Sequence, residues 1–175
     1  MERIIAAIDG LNERIGAWAS IMTFGTAFVC FATVFLRYAL NTSFTWLVEA
    51  YIWQHLLVIL IGAGFTFKNG GFVRVDLFYA KMSARGRAWV DLLGFLIFLL
   101  PFMACAWVYS WTFVAQSWAI WERSPQADGL PGIYLIKSAM LACYLLLTLQ
   151  GLAIALRSLL VLRGREEFSP GVSGH

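Results

Sequence analysis

The chain has 175 residues, of which 61% are hydrophobic, 16% aromatic and only 13% charged, with a formal net charge of +3. Soluble domains carry about 25% charged residues, so this balance excludes an ordinary water-exposed domain. The basic residues are scattered among apolar ones and offer no nucleic-acid patch, and the long, non-alternating apolar runs exclude a lipid-facing barrel.

Four apolar stretches, about 15–36, 46–67, 89–111 and 134–156, predict membrane-spanning helices. Each reaches the roughly 20 residues needed to cross the hydrocarbon core. The reading is all-α integral membrane, one four-helix domain over 1–165, with 166–175 a polar, disordered cytoplasmic tail. Ahead of the first span, Ile4, Ile8, Leu11 and Ile15 recur at helical spacing among polar residues. That segment reads as an amphipathic interfacial helix or as an extension of the first span. The first apolar run is too long for the h-region of a signal peptide and ends at Arg37-Tyr38, so it reads as a retained anchor.

A short polar turn through Asn41, Thr42 and Ser43 makes spans one and two an antiparallel hairpin. Trp46 opens span two at the headgroup boundary, and Gly70-Gly71 stops it. Residues 74–87 predict a second interfacial helix, with Val75, Phe78 and Met82 on one face and Arg74, Asp76, Lys81, Arg85 and Arg87 around it. The basic residues among them would anchor the chain at an anionic inner leaflet, with Trp89 beside them.

Pro101 inside span three predicts a kink rather than a break. The helix is expected to run on past Trp111, with Trp118 and Trp121 anchoring the outer rim, before an ordered loop from Ser124 to Gly132. Gly151 and Ala155 in span four have small-xxx-small spacing for close helix packing. Cys30, Cys105 and Cys143 all fall within spans and read as packing residues.

Ten basic residues fall at the two ends and in the middle loop, whereas only Arg37, Arg123 and Lys137 fall in the other two loops. The positive-inside rule puts both termini in the cytoplasm. Ionisable groups within spans default to functional hypotheses, and here they are few: Glu49, His55 and Asp91, with Gln54 and Gln150 as neutral polar groups. Glu49 is read as pairing with Arg37 across the tight hairpin, a guanidinium favouring the charged carboxylate. The alternative is that Glu49 reaches a partner protein or a substrate. Trp46, Glu49 and Trp53 share one helix face, as core or partner surface. His55 lacks a second ligand for haem or metal and reads as a hydrogen-bonded core residue. No nucleophile–base motif, phosphate loop or metal signature is present, so neither an enzyme nor a cofactor site is predicted.

Arg37-Tyr38, Asn41, Ser43, Trp46, Glu49, Gly62, Gly70-Gly71 and Val73-Arg74-Val75-Asp76, in that order, resemble the small membrane subunit of tripartite ATP-independent periplasmic (TRAP) transporters. Ser124-Pro125, Gly129-Leu130-Pro131, Lys137 and Gln150-Gly151 resemble a branch associated with mannitol or chloroaromatic compounds. Phe72 departs from the histidine often found after the paired glycines. The resemblance implies a division of labour. A periplasmic binding protein captures an organic acid or related solute. A large multi-span subunit moves it, using a sodium gradient. The small subunit buttresses the static part and helps dock the binding protein, through Asn41, Ser43, Ser124, Pro125 and Asp128 in this chain. The chain is expected in the bacterial inner membrane, among lipids, with no cofactor of its own. Two other classes stay open: a membrane anchor for a redox enzyme, and a self-sufficient oligomeric exporter built around Glu49.

Overall fold

The computed structural model describes residues 1–72, 79, 81–165 and 168. Four long helices dominate it: α1 (Glu2–Ala39), α2 (Thr45–Lys68), α3 (Ala84–Ala119) and α4 (Ile133–Leu162). All four are long and apolar enough to cross a membrane, and together they make an all-α membrane fold. The helix α4 is central. It packs against each of the other three, and eleven of its thirty residues are buried, whereas α2 buries only Gly64. The small residues Gly151, Ala153, Ala155 and Ser158 let neighbours approach its backbone. A methyl group on Gly151 would sit 2.4 Å from Leu99 Cδ2, so the small-xxx-small face is where α3 closes on α4.

The N-terminal segment is not a separate interfacial helix. It forms the first turns of α1, and Ile5, Ile8 and Asn12 are buried there. Of the apolar face seen in the sequence, Ile8 is buried, whereas Ile4 and Leu11 stay exposed. Between α2 and α3, part of the expected helix over 74–87 lies outside the described residues. Arg74, Asp76, Val75 and Phe78 lie outside the described residues, and so does all of the 166–175 tail except Phe168. Arg85 and Arg87 belong to α3, which begins where the Ser83 hydroxyl accepts from Gly86 N–H at 3.2 Å. A serine N-cap of this kind satisfies an otherwise orphaned donor.

Pro101 neither breaks α3 nor leaves it regular. Just ahead of it, Gly94–Leu99 form a π-helical turn, and Leu100 N–H reaches back to Phe95 O. A proline ring crowds the carbonyl four residues earlier and supplies no N–H. The wider turn relieves that crowding while the helix continues.

Three of the helices end alike. After α2, Gly70 N–H donates to Phe67 O and Gly71 N–H to Thr66 O. After α4, Gly164 and Arg165 repeat the pattern onto Val161 and Leu160. After α3, Trp121 and Glu122 repeat it onto Trp118 and Ser117. The residue at the turn is left-handed each time: Gly70 at φ +68°, Gly164 at +93°, Trp121 at +49°. Glycine is the low-cost choice for this cap.

Candidate functional site

The two ends of the bundle are built differently. At the end carrying both termini, side chains tie helix to helix. Gln150, fully buried on α4, accepts from Asn12 Nδ2 at 2.7 Å and donates to Asp9 Oδ1 at 3.2 Å. Arg157 on α4 pairs with the other oxygen of Asp9. Lys68 of α2 meets Glu13 of α1 at 2.5 Å, and Arg165 meets Glu2. A methyl on Gly64 would lie 2.2 Å from Asn12 Oδ1, so α2 contributes bare backbone to the same buried junction. The Lys68 ammonium, by hydrogen bond and then by charge, holds the Glu13 carboxyl below its usual range.

A cleft of about 460 Å³ opens nearby, lined by Phe67, Met82, Val90, Gly94, Leu99 and Gly151, with Asp91 in its wall. The Tyr79 hydroxyl donates to Asp91 at 2.7 Å, so this carboxylate is partnered. Among the described residues, no cluster of three or more His, Cys, Asp or Glu could hold a metal ion.

At the opposite end, one carboxylate organises the loop between α3 and α4. Glu49, in the first turns of α2, accepts from the Ser124 hydroxyl through Oε1 and from Leu130 N–H at 2.7 Å through Oε2. Ser124 N–H also donates to Leu130 O at 3.3 Å, and Arg123 bridges to Pro131 in antiparallel fashion. Gly129 is confined: a Cβ there would meet Ser124 Oγ at 2.3 Å and Glu49 Oε2 at 2.9 Å. A second carboxylate, Glu122, accepts from Ser117 at 2.6 Å and pairs with Lys137 at 2.5 Å. Those two partners, Lys137 first, hold its carboxyl below the usual range. Trp118 donates to Ser138 Oγ at 2.8 Å, and its ring, with those of Trp121 and Tyr134, forms an aromatic cluster with centroids 4.5–5.8 Å apart.

This geometry corrects the hairpin clamp between Arg37 and Glu49. Arg37 is exposed in the last turn of α1, and its Nη2 reaches only Ser43 Oγ, at 3.4 Å. Glu49 sits on the face of α2 turned toward the α3–α4 loop, where a hydroxyl and a backbone N–H await an acceptor. Ser124, half-buried, thus supports the loop through Glu49. Asn41, at φ +50°, turns the chain out of α1, while Pro125 and Asp128 are exposed.

His55 is corrected too. It is exposed on α2 and makes no hydrogen bond among the described residues, so it is not a satisfied core histidine. Gln54 beside it donates to Met22 O at 3.2 Å and ties α2 to α1. Tyr38, Trp46, Trp89, Lys81 and Arg85 are exposed, and Trp53 and Arg87 are half-buried.

Residues 26–161 match the family model described as "Tripartite ATP-independent periplasmic transporters, DctQ component". No curated protein and no solved structure matches the chain. The match covers most of the sequence and describes transporter components rather than enzymes. With four bilayer-length helices, the chain is a multi-pass membrane protein that belongs to the DctQ family, the small permease subunits of TRAP transporters.

Proposed function

We propose that this chain is the static brace of its transporter. It holds a large multi-span subunit that carries the substrate and sodium sites, and it offers a periplasmic surface to a substrate-binding protein for uptake of an organic acid or related solute. The observation that carries this reading is the fate of the polar groups. Asp9, Asn12, Gln54, Gln150 and Arg157 are all engaged between helices, and Glu49 holds a loop. A transport site needs convergent polar groups open to a substrate path. These are closed on each other, as suits a part that stays rigid while a neighbour moves.

The end carrying both termini is the cytoplasmic one in this reading, because its excess of Lys and Arg follows the positive-inside rule. The α3–α4 loop then faces the periplasm of an inner membrane. Lys81 and Arg85 meet lipid headgroups on the cytoplasmic side, as would Arg74. Trp46, Trp89 and Trp118 mark the two interfaces.

The test is a tagged pull-down from membranes in mild detergent, with co-purifying chains identified by mass, followed by reconstitution. A large multi-span partner in equal amount, with transport only when both chains and a binding protein are present, is the expected result. Transport by this chain alone, or a redox subunit in its company, would overturn the proposal.

A further inference from the structure

From the geometry of the α3–α4 loop we infer that Trp121 and Arg123 are the contact pair through which this subunit grips an acidic surface of the periplasmic binding protein; the inference rests on the small-subunit reading above. The first observation is an anomaly of residue choice. The caps of α2, α3 and α4 share one hydrogen-bond pattern, and the left-handed position is Gly70, Trp121 and Gly164 respectively. A bulky side chain at positive φ is an outlier that persists only where the surroundings enforce it, and such strain gathers at functional positions. Glycine would close α3 as it closes the other two, so the indole is there for a reason other than the turn. Its ring touches those of Trp118 and Tyr134 yet stays 63% exposed. It is steered by its neighbours and left open on one side.

The second observation is which charges at this end have no partner. Glu49 is spent on the loop, and Glu122 and Lys137 neutralise each other. Arg123 is exposed, and its guanidinium has no partner among the described residues. Two residues from Trp121, it is held in place by the backbone bridge to Pro131. Arg37 adds a second exposed cation at the same end, touching only Ser43, and Asp128 is the one exposed anion between Trp121 and Gly132. Among the exposed charges of this face the two arginines outnumber Asp128, and the complement of the unpaired Arg123 is an acidic patch. Tryptophan and arginine are the residues in which binding energy concentrates at protein interfaces. A lipid surface would also accept an indole and a guanidinium, but it demands neither a strained backbone nor a loop pinned by a half-buried carboxylate. Preorganisation of that sort serves a partner of fixed shape.

The experiment is docking of the system's own binding protein, purified, onto the membrane pair in nanodiscs, read by interferometry at low and physiological salt. Arg123→Glu is expected to weaken docking at least ten-fold and to flatten its salt dependence. Trp121→Gly is expected to weaken it about ten-fold with the salt dependence kept, while the pair melts at the same or a higher temperature. That combination separates lost contact from lost fold. Asp128→Lys is expected to tighten docking. Should Arg123→Glu fail to assemble, Arg123→Gln carries the same test with a smaller loss. Wild-type docking by the Trp121 and Arg123 variants overturns the inference. So does quenching of Trp121 by brominated lipid that docking leaves unchanged, since the membrane is then its occupant. If the unaltered chain forms no membrane pair, the small-subunit reading itself fails; if the pair forms and docks but these variants dock equally well, only the present inference does.

Discussion

The two ends of the bundle use the same currency, charge-assisted hydrogen bonds, for opposite purposes. At the end with the termini, Asp9, Asn12, Gln150 and Arg157 join side chain to side chain across helices that are far apart in sequence. At the other end, Glu49 joins a helix to the backbone and a hydroxyl of a loop. The first arrangement fixes how helices sit against one another. The second fixes the shape of a surface. Loss of the first is therefore global, and loss of the second local.

The largest expected effect is at the junction of α1 and α4. Gln150→Leu strips the Asn12 amide and Asp9 of a buried partner each, at about 1–3 kcal/mol per orphaned group. A clear fall in melting temperature in detergent, with reduced recovery of the membrane pair, is the outcome that keeps the comparison. A melt indistinguishable from wild type would break it. Next comes Glu49→Ala, which removes the acceptor of Ser124 and Leu130. About 1–2 kcal/mol is expected, felt as faster amide exchange at Leu130 with much less change in α1 and α4. Equal exchange along the whole chain would show that the two ends are not separable.

Acid sharpens the contrast. Glu122, outside the spans, has its carboxyl lowered by Lys137 and Ser117 below the ordinary value of 4.5. Its contribution is fully present above that ordinary value and is lost as pH falls through the lowered one. Fluorescence of the Trp118–Trp121 cluster is expected to hold at neutral pH and to change only below about 4.5. A change centred near neutrality would assign it to another group. The smallest effect belongs to Arg37→Ala. One long contact to Ser43 predicts a shift within about 0.5 kcal/mol, and a large loss of stability would restore the hairpin clamp.

The four spans were legible because bilayer thickness writes itself into the length of apolar runs. The stop at Gly70-Gly71 was legible because a left-handed cap favours glycine. The partner of Glu49 was not. Arg37 is the nearest cation in sequence, but the acceptor was claimed by Ser124 and by a backbone N–H, and a backbone donor leaves no mark in composition. Asp9 and Arg157, 148 positions apart, could be paired only by knowing that α1 lies against α4. The exposure of His55 escaped for a similar reason: on an all-round apolar helix, periodicity does not say which face turns inward. The strained cap at Trp121 left no signal either, since the sequence there shows an ordinary aromatic rim.

The π turn at Gly94–Leu99 has a consequence for how this helix tolerates changes of length. A π turn holds one residue more than the α turn it replaces. Deleting a single residue within it would let the backbone contract to ordinary α pitch, and Ala84–Leu93 and the stretch beyond Pro101 would keep the faces they now present. The same deletion one or two turns away would rotate one half of α3 against the other by about 100°, since successive residues in an α-helix are spaced at 3.6 per turn. Ala88 and Val114, which lie on either side of a deletion one turn away, could then no longer both be buried, as they are here. The wide turn is the one place along α3 where the chain could lose a residue and keep its alignment with α4.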